Sequence, residues 1–381
     1  MRIVELISIE TTNGASRHGL AVAEEMVRRG HEVTLFYRHW LEPRAAEAAG
    51  VRCEEIAYAM RRSQLGSVLS RLRDLEVDVV HTHTSKALLF ALALRLAGGP
   101  PVVATAHSQN LQALWPLADL VVAPTEAVAD YQRRVNRVAP SRIRVIPSLI
   151  GAQRFAPASP DGRAEARVRL GAPADAVVAG LVADAHLDKR QSDLIRAADL
   201  AHARHPQLMV ALKGAAVDPR EMRRIAAAQA GARVRVEHVR EREDDGGFLA
   251  ALDIIVVASA REVGPFSLAE AMSAGLPAVA TDVGRVRALV GDDVAGIIVR
   301  PGDLAGLADA LGALAADPAL RGRMGAAALA RIGPHLDDAP AFDAIEAALA
   351  EAAAIRRAAP QRLAAPLLSA WLGARPSGRA T

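Results

Sequence analysis

Cysteine, aromatic residues and lysine are all scarce in this 381-residue chain. Its single cysteine, Cys53, excludes an internal disulfide and a cysteine-built zinc site, and is typical of a reducing compartment. Aromatic residues make up 3% and hydrophobic residues 51%, so small and branched aliphatic side chains must form the core. No apolar run approaches the roughly 18 residues of a membrane span. The formal net charge of +3 argues against nucleic acid as a partner. We expect a cytoplasmic protein.

Short β-branched segments alternate with longer segments of helical period. Strands are predicted at 3–7, 32–37, 51–56, 77–80, 102–106, 120–123 and 143–146, and again at 176–182, 208–212, 233–237, 254–258, 277–280 and 297–299. This alternation predicts an α/β fold of two doubly wound, Rossmann-like parallel sheets facing across a cleft. Ligand sites in such sheets lie at the carboxyl ends of the strands.

The length of the chain fits two domains of about 150–200 residues each. We place the first domain at 1–150, a connector rich in proline, glycine and charge at 151–175, and the second domain at 176–335. A C-terminal helix and tail at 336–381 complete the chain, and the helix is a candidate to pack back on the first domain.

The segment 259–277, SAREVGPFSLAEAMSAGLP, contains the most informative pattern. Glu262 lies on a loop after a predicted strand, and Glu270 lies one turn inside the next helix. Pro265 suits a first helical position. Three backbone N–H groups are then predicted to be free to bind a phosphate, those of Phe266, Ser267 and Leu268. Each carboxylate is a natural acceptor for a pair of sugar hydroxyls.

This segment resembles the GT-B-fold glycosyltransferases of family 4 (glycosyl transferases group 1), whose signature is Glu-x7-Glu before Ala-Met-small-Ala-Gly-x-Pro. Here it is Glu262-VGPFSLA-Glu270-AMSAGLP, and AVATDVG (278–284) and AGIIVRPGD (295–303) match the continuation. The resemblance covers roughly residues 1–331. It implies a retaining, metal-independent hexosyltransferase that needs no cofactor. The second domain would bind a UDP- or GDP-linked sugar, and the first domain the acceptor.

The resemblance also assigns roles to single residues of the second domain. Glu270 is expected to bind the donor ribose, and Glu262 the sugar and phosphates. Lys189 falls on the family's phosphate-binding lysine, where a cation stabilises charge on the departing diphosphate. Arg190 is expected to assist in donor binding. Asp184 stands where the family has arginine, so we expect it to turn away from the diphosphate or to pair with a cation such as Arg190.

In the first domain, the segment TNGASRH at 12–18 follows the first strand and resembles the family's Gly-Gly-small-x-Arg loop. The resemblance implies a donor contact from Gly14 and acceptor-side contacts from Asn13, Ser16 and Arg17. Asn13 and Ser16 are also common types of helix N-cap, so the loop by itself is weak evidence.

Histidines end two predicted strands of the first domain. The resemblance implies that His107 lies near the transferred sugar, where it donates to a hydroxyl or stabilises charge. His81 and His83 form a His-x-His pair, which is a common metal-ligand spacing. No carboxylate or third ligand is nearby in sequence, and GT-B enzymes in general need no metal, so we predict a metal-free site. A strand-end histidine with a purely structural role is the alternative for all three.

Other functions stay open. A nucleotide-sugar-binding or scaffold subunit without catalysis is the main alternative, supported by Asp184. A GT-B nucleotide-sugar epimerase is disfavoured by the Glu-x7-Glu pattern. A transferase of this kind would act in bacterial envelope polysaccharide, glycolipid or glycoconjugate synthesis, on a glycan, lipid-linked or small-molecule acceptor. The basic amphipathic helix predicted at 60–75 leaves open weak peripheral contact with the inner membrane face, although a solvated surface helix is favoured.

Overall fold

The computed structural model describes residues 1–8, 14–38, 44–149, 155–239 and 245–358. The chain divides into two compact units. Unit 1 comprises Met1–Leu149 and Asp338–Thr381, and unit 2 comprises Ile150–Asp337.

Unit 1 contains a seven-stranded parallel sheet in the order β3-β2-β1-β4-β5-β6-β7. Its strands are β1 Arg2–Ile7, β2 Glu32–Tyr37, β3 Arg52–Glu55, β4 Val79–Thr82, β5 Val102–Thr105, β6 Leu120–Ala123 and β7 Ile143–Val145. The helices that accompany it are α1 Gly14–Arg28, α2 Arg44–Ala48, α3 Arg62–Asp74, α4 Ser85–Leu96, α5 Glu126–Arg134 and, at the end of the chain, α14 Ala339–Ala358.

Unit 2 contains a six-stranded parallel sheet in the order β10-β9-β8-β11-β12-β13. Its strands are β8 Val177–Val182, β9 Leu208–Lys213, β10 Arg235–Val239, β11 Ile254–Val257, β12 Ala278–Thr281 and β13 Gly296–Val299. Its helices are α6 Pro160–Leu170, α7 Gln191–His202, α8 Pro219–Ala230, α9 Asp245–Ala251, α10 Phe266–Ser273, α11 Val286–Val290, α12 Leu304–Ala316 and α13 Pro318–Ile332.

The predicted α/β class is confirmed, and so is each predicted strand, within two residues at either end. The strands are continuous apolar runs because helices cover both faces of each sheet. In β1 the side chains from Ile3 to Ile7 are all buried, and Glu5 is the one charged residue among them. Helix α14 packs on the same sheet, where Ile345 and Leu349 join the core cluster that contains Ile3 and Ile7.

The segment expected to be a connector, 151–175, contains helix α6, and its described part packs within unit 2. Residues from Phe155 onward belong to unit 2, and Phe155, Ala166 and Leu170 are buried in its core. Ala166 and Leu170 lie four residues apart on one face of α6, so they meet the same neighbours. The many charged and proline residues around them obscured this short apolar face.

In each sheet the strand order reverses after the third strand, so that β4 pairs with β1 in unit 1 and β11 pairs with β8 in unit 2. In open α/β sheets, ligands bind outside the carboxyl ends of the strands at this switch point. Each unit therefore has one position at which the fold itself favours a site.

Candidate functional site

Two loops meet at the switch point of unit 2, one after β8 and one after β11. The backbone N–H of Ala260 donates to the carbonyl oxygen of Asp188 (2.7 Å), and the guanidinium of Arg261 donates to the Asp188 carboxylate (2.9 Å). Lys189 Nζ donates to the carboxylate of Glu262. Lys189 and Glu262 are both predicted site residues, and the structure brings them into contact across 73 positions of sequence.

The Glu262 carboxylate lies mostly below the surface, with 13% of its side chain exposed, whereas Lys189 is 32% exposed. Ser259 Oγ donates to Glu262 Oε1 (3.0 Å), the same oxygen that accepts from Lys189. Among the described residues, Glu262 Oε2 has no hydrogen-bond donor, so it is able to accept one from a ligand hydroxyl. Sequence reasoning missed Ser259, whose only signal was its position at the end of β11.

A glycine fixes the backbone beside Glu262. Gly284 has φ of +54°, and a Cβ at that position would lie 2.4 Å from the carbonyl oxygen of Glu262 and 2.6 Å from that of Val263. The N–H of Arg285 also donates to the Val263 carbonyl oxygen (3.2 Å). The turn at 282–285 thus packs against the backbone of the loop that carries Glu262. Only glycine at position 284 allows the two segments of backbone to approach this closely.

Helix α10 begins at Phe266, with Pro265 as its N-cap rather than its first helical residue. The prediction that the N–H of Leu268 is free is wrong, because this group donates to the Pro265 carbonyl oxygen (3.2 Å) in a tight first turn. The N–H groups of Phe266 and Ser267 have no backbone acceptor within the described residues. Glu270, one turn further on, is buried, with 4% exposed.

Asp184, which stands where the family has arginine, is held by hydrogen bonds to both its carboxylate and its backbone carbonyl oxygen. Its carboxylate accepts the N–H of Ala215 (3.0 Å), and Gln191 Nε2 donates to its carbonyl oxygen (3.1 Å). The carboxylate thus joins the loop after β8 to the loop after β9. Arg190, expected to bind the donor or Asp184, contacts Asp193 (3.3 Å) at the start of α7.

A pocket opens beside Asp184 at the carboxyl ends of β8, β9 and β10. Its lining includes Gln191, Lys213, Gly214 and His238. Lys213 is buried, and its Nζ lies 5.7 Å from the centre of the Phe248 ring. Sequence reasoning gave Lys213 no role, although it is the last residue of a strand and therefore at the ligand-binding edge.

The predicted loop residues of unit 1 have different environments. Gly14 is the first residue of α1 and is half-buried, as is Arg17. Ser16 is fully buried, at 0% exposed, whereas a direct acceptor contact needs an accessible hydroxyl. Asn13 lies outside the described residues.

Four histidines and one glutamate gather at the switch point of unit 1: Glu5, His18, His81, His83 and His107, here called the histidine cluster. The Glu5 carboxylate accepts from His81 Nδ1 (3.1 Å) and His83 Nε2 (2.7 Å). His81 Nε2 and Thr105 Oγ1 form a further hydrogen bond (2.8 Å). His83 Nδ1 and His107 Nε2 lie 3.5 Å apart.

Burial governs the protonation of this cluster. It lowers the pKa of His83 to about 4 and the pKa values of His18 and His107 well below the ordinary range. Burial alone would raise the pKa of Glu5, but the adjacent His81 and His83 outweigh it and lower that pKa to about 2. At neutral pH the imidazoles of His18, His83 and His107 are therefore neutral and the Glu5 carboxylate is ionised.

Glu5 and His18 were not predicted. Glu5 could have been found as a lone charge within an apolar strand, but His18 resembles any polar residue of a surface helix until α1 packs on the sheet. The prediction of a metal-free site considered only ligands near His81 and His83 in sequence. The fold brings Glu5, His18 and His107, which are distant in sequence, within reach of these histidines.

Comparisons with known proteins agree with this architecture. Residues 12–154 match the family model described as Glycosyltransferase Family 4. Residues 162–331 match the model described as Glycosyl transferases group 1. Two doubly wound units with these two matches define a GT-B glycosyltransferase. The chain belongs to the GT-B glycosyltransferases of the family 4 type.

Among curated proteins, the chain is similar to a D-inositol 3-phosphate glycosyltransferase of Xylanimonas cellulosilytica, with 34% identity over 56% of this chain and 52% of the relative. It is also similar to D-inositol 3-phosphate glycosyltransferase 1 of Catenulispora acidiphila, with 29% identity over 64% of this chain and 65% of the relative. These matches span about half to two thirds of the length of the relatives.

Among solved structures, HepE of Anabaena in complex with UDP-glucose superposes with a TM-score of 0.81. The identity is 23%, covering 92% of this chain and 100% of that one. A glycosyltransferase of Rickettsia africae superposes with a TM-score of 0.79 at 16% identity, over 92% of this chain and 98% of that one. At these identities the similarity establishes the fold, and the predicted GT-B architecture is confirmed.

Throughout the described ranges, every helix is too short or too polar to cross a membrane. The basic amphipathic helix of the sequence prediction is α3. Its apolar residues, Leu65, Val68, Leu69 and Leu72, are buried in unit 1. This face therefore serves the protein core, and any contact with anionic lipid would depend on the arginines of the opposite face.

Proposed function

We propose that this chain transfers a sugar from a nucleotide diphosphate sugar to an acceptor hydroxyl, with retention of the anomeric configuration. The observation that carries the proposal is the contact between Lys189 and Glu262 at the switch point of unit 2. It joins a cation suited to a diphosphate to a carboxylate suited to sugar hydroxyls.

Lys189 and Glu262 form an ion pair, in which each compensates the charge of the other. Isolated charges at a partly buried site cost free energy, and this pairing avoids that cost. We propose that the donor separates the pair: its diphosphate takes Lys189, and a sugar hydroxyl donates to Glu262. Because negative charge grows on the diphosphate as the glycosidic bond breaks, Lys189 binds the transition state more tightly than the bound donor.

The start of α10 is proposed to bind a donor phosphate through the N–H groups of Phe266 and Ser267. A helix N-terminus favours an anion because its first N–H groups lack intrahelical acceptors and the helix dipole is positive there. Glu270 is proposed to accept from the two ribose hydroxyls. Lys189 and these backbone groups supply positive charge to the diphosphate, so the proposal requires no divalent cation at the diphosphate.

Unit 1 is proposed to bind the acceptor, with His107 at the reacting sugar. Burial keeps the His107 imidazole neutral, so it is able to position a hydroxyl rather than to supply a charge. In the proposed step the bond from the anomeric carbon to the phosphate oxygen breaks and the bond to the acceptor oxygen forms on the same face. The leaving phosphate oxygen takes the acceptor proton.

The names of the relatives suggest the first substrates to test. The curated relatives are named for D-inositol 3-phosphate, and HepE was crystallised with UDP-glucose. We therefore propose a UDP- or GDP-linked hexose as donor. Inositol phosphate is the first acceptor to test, followed by glycans and lipid-linked sugars of the kinds used in envelope synthesis.

The alternative, a nucleotide-sugar-binding subunit without catalysis, is supported by Asp184 at the arginine position. Titration with UDP, GDP and ADP, together with turnover on a panel of UDP- and GDP-sugars, separates the two. The enzyme proposal expects one nucleotide to bind at micromolar concentration and its sugar to be consumed. Tight binding with no consumption of any donor, even by hydrolysis, would establish the alternative. No nucleotide binding at all would overturn both.

A further inference from the structure

We propose that His18, His83 and His107 form a binding site for one divalent transition-metal ion, and that Zn²⁺ fits it best. The nitrogen atoms that these three side chains offer all lie within 4.8 Å of one another. The inference concerns unit 1 alone and does not rest on the proposed sugar transfer, although it gives His107 a second role beside the one proposed there.

The ring geometry matches a tetrahedral three-histidine site. With a zinc–nitrogen distance of about 2.05 Å and about 1.1 Å from nitrogen to ring centre, tetrahedral ligation puts ring centres about 5.2 Å apart. The observed separations are 5.5 Å for His18 and His83, 5.0 Å for His18 and His107, and 5.7 Å for His83 and His107. The distance from His83 Nδ1 to His107 Nε2 is 3.5 Å, and the matching ligand–ligand distance is about 3.3 Å.

Several buried nitrogen atoms of these rings also lack a hydrogen-bond partner among the described residues. His18 is 4% exposed, and within the described residues neither of its ring nitrogens has a hydrogen-bond partner. His107 Nδ1 is likewise buried without one. A buried polar atom left without a partner costs about 1–3 kcal/mol, so native interiors rarely contain several together. A metal ion would satisfy a nitrogen of His18 directly.

Glu5 orients His83 for ligation. An ionised carboxylate only accepts hydrogen bonds, so His83 Nε2 carries the proton that Glu5 binds at 2.7 Å. The lone pair of neutral His83 is then on Nδ1, the atom that faces His107. Metal-bound histidines usually donate their other N–H to a carboxylate or carbonyl in this way. The Glu5 charge would also compensate part of the charge of a buried dication.

The group formed by Glu5, His81 and His83 is a less suitable alternative. Both ring nitrogens of His81 are already bonded, Nδ1 to Glu5 and Nε2 to Thr105. Its ring centre lies 4.2 Å from that of His83, which is closer than tetrahedral ligation allows. His81 is therefore assigned to the support of Glu5 and not to the metal. The ligand type also favours zinc, since neutral imidazoles suit Zn²⁺ and seldom bind Mg²⁺ or Ca²⁺.

The test uses the full chain without a histidine tag, dialysed against a chelator. Zn²⁺ affinity is measured by competition with a colorimetric chelator, and Co²⁺ is added separately because its visible spectrum reports tetrahedral ligation. We expect one equivalent of Zn²⁺ with Kd below about 1 µM. His18→Phe and His107→Phe should each weaken binding at least about 100-fold, and Glu5→Gln about 10- to 100-fold. His205→Gln, a control outside the cluster, should not change it.

A wild-type chain that binds no stoichiometric Zn²⁺ would overturn the proposal. So would His18→Phe that binds as tightly as wild type, or a His205→Gln variant that loses the ion. If either phenylalanine variant fails to fold, as judged by circular dichroism, anomalous X-ray scattering at the zinc edge from soaked wild-type crystals decides. A peak among His18, His83 and His107 supports the site, and a peak only elsewhere refutes it.

Discussion

Lys189 donates a hydrogen bond to Glu262 although the two residues belong to different loops, one after β8 and one after β11. The contact exists because β8 and β11 are neighbours in the sheet, which places the ends of both strands together. The donor site proposed for unit 2 depends on this pair, and the first predictions test it.

Lys189→Ala should reduce turnover more than donor binding, because negative charge on the diphosphate is greatest in the transition state. Loss of one such electrostatic contact reduces kcat by about 100-fold. The measurement is steady-state kinetics with the preferred donor, with Arg196→Ala on the surface of α7 as control. Normal kcat in Lys189→Ala would remove this lysine from the mechanism.

The effects of substitutions at Lys189 and Glu262 on kcat/KM should not be additive. Lys189→Ala leaves the Glu262 carboxylate without its cation, so adding Glu262→Gln should do less further harm than Glu262→Gln does alone. Strictly additive losses in kcat/KM would mean that the two side chains act independently.

Glu270→Gln should weaken nucleotide binding by about 1–3 kcal/mol, since a charge-assisted acceptor for the ribose hydroxyls becomes a neutral amide. Isothermal titration with UDP and GDP measures the change. Glu165→Gln, an exposed glutamate of α6, is the matched control. Equal affinities for wild type and Glu270→Gln would refute the ribose assignment.

Gly284→Ala should weaken the proposed donor site although Gly284 itself is not proposed to contact the donor. The new Cβ would meet the Glu262 carbonyl oxygen at 2.4 Å, so the loop that presents Glu262 must move. Left-handed backbone also costs alanine about 1–2 kcal/mol. Donor affinity and thermal stability should both fall. In Gly322→Ala, at a helical glycine whose added Cβ meets nothing within 4 Å, affinity should be unchanged and stability should rise slightly. Unchanged donor affinity in Gly284→Ala would show that the loop position is not critical.

The histidine cluster should make unit 1 sensitive to acid. Below about pH 6.5 the unfolded chain binds protons at His18, His83 and His107 that the folded chain does not, because burial lowers their pKa values when folded. The free energy of unfolding should therefore fall as pH falls. At about 1.4 kcal/mol per pH unit for each group, the three contribute up to about 4 kcal/mol between pH 7.5 and 5.5. Glu5 adds a further loss below its ordinary pKa, towards pH 2.

Urea denaturation in the presence of a chelator measures this effect. Trp115 is buried in unit 1, and no tryptophan occurs at 150–337 in the sequence, so the fluorescence change of Trp115 reports the unfolding of unit 1. The double variant His18→Phe, His107→Phe should lose about two thirds of the pH dependence, and His205→Gln should retain it. A wild-type unfolding free energy that is flat from pH 7.5 to 5.5 would contradict the protonation states described above.

Local patterns predicted the sheets well, because a strand covered on both faces must be a continuous apolar run. The Glu-x7-Glu spacing predicted that Glu262 and Glu270 lie close to one helix start, and the structure places them on either side of the first residue of α10; their roles stay predictions. Tertiary packing decided the rest. The histidine cluster joins residues from position 5 to position 107, which lie on β1, α1 and β4 and just after β4 and β5, and no local pattern links them. The tight first turn of α10 and the bond from Ala215 to Asp184 also depend on backbone geometry that residue type does not specify.

The most direct test of the account is product analysis with the preferred nucleotide sugar. Purified chain is incubated with donor and acceptor, release of the nucleoside diphosphate is measured, and the anomeric configuration of the product is read from its proton NMR coupling constant. The account predicts one diphosphate released per sugar transferred, a product with the donor's anomeric configuration, and little release by Glu262→Gln. A product of inverted configuration, or equal release by Glu262→Gln and wild type, would contradict it.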